Sequence, residues 1–157
     1  MADSYDVIVI GAGPGGYVAA IRAAQLGKKT AVVERDKAGG RCLNYASIPA
    51  KTVLRTPDIY HQAQEGAELG VVAKDVSLDW EALGKRRASV SESLSGGVEM
   101  LFKKNRIDWI KRSGRLAGKG KVEITEGQKQ SLTAKKEITA AAKGLAEAGL
   151  RVAVLEA

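Results

Sequence analysis

Gly11, Gly13 and Gly16 stand in the order G-x-G-x-x-G within GAGPGG. Each glycine has a separate physical job in a phosphate-binding turn. The first permits a tight turn out of a strand. The second lets backbone approach a pyrophosphate, and the third lets the following helix pack close to the strand. Amides at the start of that helix, helped by its dipole, can then hold phosphate oxygens. Glu34 lies about twenty residues on, where a carboxylate can accept hydrogen bonds from ribose hydroxyls. A carboxylate there repels a 2′-phosphate and so disfavours NADP. By itself the spacing fits either FAD or NAD.

A second group follows in GGRCLNYASIPAK, residues 39–51. It contains Cys42, the only cysteine of the chain, and Ser47 five positions later. With one cysteine an intrachain disulfide is impossible. A serine hydroxyl is not a thiolate at neutral pH. His61 is the only histidine and reads as an ordinary residue on the face of a helix. No cluster with metal-ligand spacing is evident, so no metal is expected.

These residues need a scaffold. Tyr5 to Ile10 is a short β-branched run with the composition of a buried parallel strand. An alanine-rich helix is expected over Tyr17 to Leu26, stopped by Gly27, and Thr30 to Glu34 reads as a second strand. Together they make a βαβ-type unit around the glycine turn. Pro49 suits the first turn of a helix running to about Gln64. A long helix is expected over Asp79 to Asn105, with Trp80, Leu83, Val90, Leu94, Val98, Leu101 and Phe102 mostly at helical spacing. Ile107 to Ile110 is a short strand candidate. Glycines at 114, 118, 120 and 127 divide Gly114 to Lys136 into short runs, the pattern of an antiparallel meander.

The two motifs in tandem, with GRLAGKGKVEI further on, resemble the opening of the pyridine nucleotide–disulfide oxidoreductases, and most closely the lipoamide branch. The likeness runs from about Tyr5 to about Ile138. It implies an α/β fold: a Rossmann-like parallel sheet binding FAD, with an antiparallel β-meander, over residues 1–138. It also implies FAD contacts from Gly11, Gly13, Pro14, Gly15, Gly16, Glu34, Arg35, Gly40, Arg41, Cys42 and Lys51. In the family the second motif is GG-x-C-x-x-x-x-C-I-P-x-K, whose two cysteines form a redox disulfide beside the flavin. Cys42 takes the first position as the redox residue, and Ser47 stands at the second. The resemblance therefore implies a broken dithiol relay. Arg41 replaces the family's common threonine.

Lipoamide and NAD are the partners implied for a full-length family member. The family's catalytic base and nicotinamide domain have no counterpart in this sequence, so a truncated family member is expected. Two alternatives remain open at this point. One is a non-catalytic FAD-binding module or engineered scaffold. The other is a flavoprotein like the soluble pyridine nucleotide transhydrogenases, which keep the first cysteine with a hydroxyl residue at the second position.

Residues 139–157 depart from the family pattern. Thr139 to Ala148 is helical in composition, Gly149 stops it, and Arg151 to Glu156 reads as a strand. The expectation is an added helix–strand tail that completes the sheet, with Val152 to Leu155 parallel to Val7 to Ile10.

Bulk properties bound the rest. The chain has 157 residues and a formal net charge of +7, with the excess mostly between Lys103 and Lys136. That stretch offers only Phe102 and Trp109 for base stacking and no recognised binding motif, so a solvated surface is expected and nucleic acid is not. No apolar run approaches the length that spans a bilayer. Residues Met1 to Asp6 are short, polar and acidic, unlike a secretory signal. A cytoplasmic protein is the expectation, with the oligomeric state open.

Overall fold

The computed structural model describes residues 4–125 and 130–139, with side chains described up to residue 135. The chain opens with β1 (Ser4–Ile10), α1 (Pro14–Gln25) and β2 (Thr30–Val33). All four residues of β2 are buried, as expected of a strand covered on both faces. Helix α1 ends where the amides of Gly27 and Lys28 donate to the carbonyls of Ala24 and Ala23. Gly27 has φ 77°, and this glycine-terminated arrangement satisfies carbonyls that the helix leaves open.

A short helix, α2 (Gly40–Asn44), and a longer one, α3 (Ser47–Glu65), follow. Ser47 begins α3, so Pro49 stands in its first turn as expected, and α2 was not anticipated. A 3₁₀ turn over Gly66–Leu69 leads towards α4 (Trp80–Lys104). Asp79 caps α4 by accepting the Ala82 amide at 2.9 Å, which satisfies one of the donors orphaned at a helix start.

At 25 residues, α4 is about 37 Å long. Only its last turns reach the sheet, where Val98 and Phe102 are buried. The expected apolar face is only partly covered: Leu83 and Val90 are half-buried. Trp80 is 70% exposed and Leu94 is 41% exposed, because this part of α4 extends past the sheet and packs beside α3.

After α4 come β3 (Asp108–Ile110), β4 (Gly114–Leu116), β5 (Lys121–Ile124) and β6 (Gln130–Thr139). The six strands lie in the order β3-β2-β1-β6-β5-β4. Strands β3, β2, β1 and β6 are mutually parallel, and β6, β5 and β4 are antiparallel. This is the mixed α/β architecture expected, a Rossmann-like sheet continued by a meander. Val7, Val9 and Val32 pack with Ala20, Val98 and Phe102 on the helix side. Ile8, Ala31 and Val33 pack with Val122, Ile124 and Leu132, so the meander curls over the opposite face. Gly114 permits that approach, since a Cβ there would lie 2.8 Å from Cγ1 of Val33.

Strand β6 belongs to both halves of the sheet. Gln130 to Thr133 pairs with β5, and Thr133 to Thr139 pairs with β1. The segment 140–157 lies outside the described residues. The place expected for Val152 to Leu155, beside Val7 to Ile10, is occupied: these residues pair with Thr30 to Val33 on one side and with Lys136 to Thr139 on the other. Near the start of β1, Nζ of Lys135 lies 2.8 Å from Oδ1 of Asp6, and this hydrogen bond holds the Asp6 carboxyl below the usual carboxylate range. Among the described residues, no helix is long and apolar enough to cross a membrane.

Candidate functional site

The site is built where β1 ends. Gly11 has φ 101°, in the left-handed region that only glycine adopts without strain. Its amide donates to the carbonyl of Val33 at 2.8 Å, tying the turn to the end of β2. Gly13 is the extended N-cap of α1, no side chain caps that helix, and Pro14 begins it. The missing amide of Pro14 costs nothing there, because first-turn amides have no acceptor within the helix. The amides of Gly15 and Gly16 are therefore left to face an outside acceptor. A Cβ added to Gly13 or Gly15 would meet nothing within 4 Å. Protein atoms thus leave room for a Cβ at both glycines; Gly15 is exposed, while Gly13 and Gly16 are buried against the fold.

Glu34 follows β2 and is only 7% exposed. Its Oε2 accepts the amide of Ala12 at 2.9 Å and its Oε1 accepts the amide of Asp36 at 3.0 Å. Each carboxylate oxygen has a second lone pair, so the group can accept further donors while holding the glycine turn. Arg35 is exposed beside it.

The second motif closes on the first through backbone. Gly39 and Gly40 have φ 86° and 57°. The amide of Gly39 donates to the carbonyl of Ala12 at 2.8 Å. A Cβ on Gly40 would lie 2.7 Å from Cα of Gly13, so only glycine allows this contact. Two buried side chains fix the loop. Nδ2 of Asn44 donates to the carbonyls of Ala38 and Gly40, both at 2.9 Å, and Oγ of Ser95 donates to the carbonyl of Ala38 at 2.7 Å.

Residues 5–143 match the pyridine nucleotide-disulphide oxidoreductase family. The chain belongs to that family. Among its relatives is the dihydrolipoyl dehydrogenase of Bacillus subtilis, 49% identical over 118 residues, which cover 75% of this chain and 25% of the relative. The enzyme of the same name from Zymomonas mobilis is 44% identical over 142 residues, covering 89% of this chain and 30% of the relative. That of Rhizobium etli is 47% identical over 130 residues, covering 82% and 27%. The chain thus spans between a quarter and a third of the length of these relatives.

In this pyridine nucleotide-disulphide oxidoreductase chain, the fold brings Gly11, Gly13, Gly16, Glu34 and Gly40 to one place. Cys42 sits half-buried on α2, while Arg41 and Ser47 are exposed. Lys51 is exposed one turn into α3. An open, mostly apolar groove of about 720 Å³ runs beside Ser47, lined by Tyr45, Pro49, Val53, Leu54 and Arg87 among others. His61 lies on the outer face of α3, with Nε2 3.3 Å from Oε2 of Glu65. Tyr45 donates its hydroxyl to Oδ1 of Asp36 at 3.2 Å, which raises the phenol above its usual range.

The residues that brace the site, Ala12, Ala38, Gly39, Asn44 and Ser95, were missed from sequence. Ser95 carried a signal. It precedes Val98 by three residues and Phe102 by seven, so it is a hydroxyl on the buried face of its helix, where an acceptor is required.

Proposed function

We propose that this chain is the FAD-binding domain of a flavoprotein oxidoreductase resembling the dihydrolipoyl dehydrogenases. The observation that carries the reading is the room for a Cβ at Gly13 and Gly15 at an uncapped helix start, with the buried Glu34 carboxylate bonded to the same turn. A glycine that no neighbouring protein atom requires is explained by a ligand that approaches its backbone closely. The residues fit the adenosine diphosphate half of FAD. Gly13, Gly15 and Gly16 would meet the pyrophosphate with their amides, and Glu34 would accept from the ribose. Pro14 preorganises the helix start, and Arg35 and Gly40 border the same turn.

When bound, FAD supplies two-electron redox chemistry that the side chains cannot perform. The residues of this chain bind and orient it. Arg41, Cys42 and Lys51 belong to the part of the motif that the resemblance places near the flavin. A hydroxyl at Ser47 cannot close a disulfide with Cys42, so we read the chain as lacking a dithiol relay of its own. Lipoamide and NAD belong to this proposal only as partners of a full-length relative. The Cys42–Ser47 pair also suits a transhydrogenase-like flavoprotein, which needs no internal disulfide.

Titration of FAD into the purified chain, followed by quenching of flavin fluorescence, tests the assignment. Saturable binding of FAD in preference to NAD is expected. Binding of NAD without FAD would overturn it.

A further inference from the structure

Two successive glycines in the left-handed region leave the 38–40 loop with more conformational freedom to lose than any other pair of residues. Yet this loop must hold one position, because Gly40 touches the backbone of Gly13 and Gly39 bonds to Ala12. Asn44 fixes it from within: it is six residues from Ala38 and moves with the same segment. Ser95 is different. It lies 57 residues away on α4, and its hydroxyl reaches the Ala38 carbonyl at 2.7 Å. Ser95 is itself 6% exposed, so water does not compete for that bond. The hydroxyl ties the loop to a helix whose end is set in the core by Val98 and Phe102.

We infer that Ser95 is a positioning residue for the pyrophosphate site: through Ala38, Gly39 and Gly40 it holds the backbone of Ala12 and Gly13 in the conformation that presents the first amides of α1. This rests on the reading of the glycine turn as a dinucleotide site. Losing the bond unties the loop from α4 and leaves it held by Asn44 and its own backbone bonds, so that it backs Gly13 less firmly. The effect falls on ligands that engage the pyrophosphate amides, and spares ligands that engage only the adenosine side near Glu34.

The test uses the full chain with FAD, ADP and adenosine as probes, each measured by calorimetry or by displacement. The wild-type titration with FAD comes first and decides the dinucleotide reading by itself. Ser95→Ala should weaken FAD and ADP by about three- to tenfold, the size of one net hydrogen bond, while adenosine, which has no phosphate, changes by less than about twofold. A uniform loss for all three ligands, or no loss for any, overturns the positioning role, because general destabilisation does not discriminate ADP from adenosine. Ser95→Thr keeps a hydroxyl and should retain the wild-type ratio of ADP to adenosine affinity. If Ser95→Ala does not fold, Ser95→Cys, with similar bulk and a weak donor, should lose that ratio; a retained ratio overturns the idea. Hydrogen exchange at Gly39 gives a reading free of ligand. Faster exchange of that amide in Ser95→Ala supports the brace, and unchanged exchange overturns it even where FAD does not bind.

Discussion

Gly40 and Gly13 meet backbone to backbone, at a distance that leaves no room for a methyl group: a Cβ on Gly40 would sit 2.7 Å from Cα of Gly13. The two motifs of the chain are thus in contact through atoms that side-chain chemistry cannot replace. Gly40→Ala should be costly on two counts. Its φ of 57° alone implies about 1–3 kcal/mol for a residue with a Cβ, and the methyl must also displace Gly13. Thermal unfolding should show a large fall in Tm, together with weakened FAD binding. Gly15→Ala, whose Cβ points into space, should leave Tm nearly unchanged and weaken binding alone. Equal Tm losses for the two variants would contradict the contact.

Glu34 is expected to serve both the fold and the ligand. Glu34→Ala removes the acceptor for two backbone amides and, in the proposed complex, for the ribose. Binding of FAD should weaken by about 1–3 kcal/mol, the range for charge-assisted hydrogen bonds. Glu34→Gln keeps one carbonyl acceptor and should fall between the wild type and Glu34→Ala. Fluorescence titration of the three proteins gives the order directly.

Cys42 and Ser47 lie five positions apart, on α2 and at the start of α3. Ser47→Cys should allow an internal disulfide, seen as two free thiols in reduced protein and none after mild oxidation. The chain should not reduce NAD with dihydrolipoamide, with or without this substitution. NAD reduction above background by either protein would show that the proposed limits on its chemistry are wrong.

Strand β6 gives a test by truncation. A chain ending after Thr139 keeps the strand that pairs with Val7 to Ile10. A chain ending after Lys135 loses the positions opposite these residues and exposes a row of unpaired backbone groups on an apolar strand. The first truncation should preserve solubility and Tm, and the second should lower both. If ending the chain after Thr139 already causes aggregation, then residues 140–157 contribute to the sheet after all.

The first half of the fold was legible because each element carried its own signal. Tyr5 to Ile10 is β-branched, Gly27 stops a helix, and apolar residues between Trp80 and Phe102 fall mostly at helical spacing. The glycine turn and Glu34 could be placed together because strand, turn and helix fix their separation. The end of β6 was hidden, since Ala134-Lys135-Lys136-Glu137 has neither alternation nor β-branched residues. Its place in the sheet is set by backbone pairing and by the strand's continuity with Leu132, which is buried. Helix α2 was missed because five residues opening on a left-handed glycine have no period to read. The contact of Ser95 with Ala38 spans 57 residues, beyond any local pattern.

The sharing of β6 by both halves of the sheet also bears on how the chain is made. The edge of β1 opposite β2 finds its partner in residues 133–139, near the far end of the described chain. At common synthesis rates, on the order of 10 s separates the appearance of β1 from that of its second neighbour. During that interval the nascent chain exposes one side of an apolar strand, and the finished sheet cannot close early from the N-terminal side. A pause or a slow stretch of translation before residue 139 would lengthen the sticky interval directly, so the yield of folded protein should depend on the tempo of synthesis and on chaperone supply more than its final stability suggests.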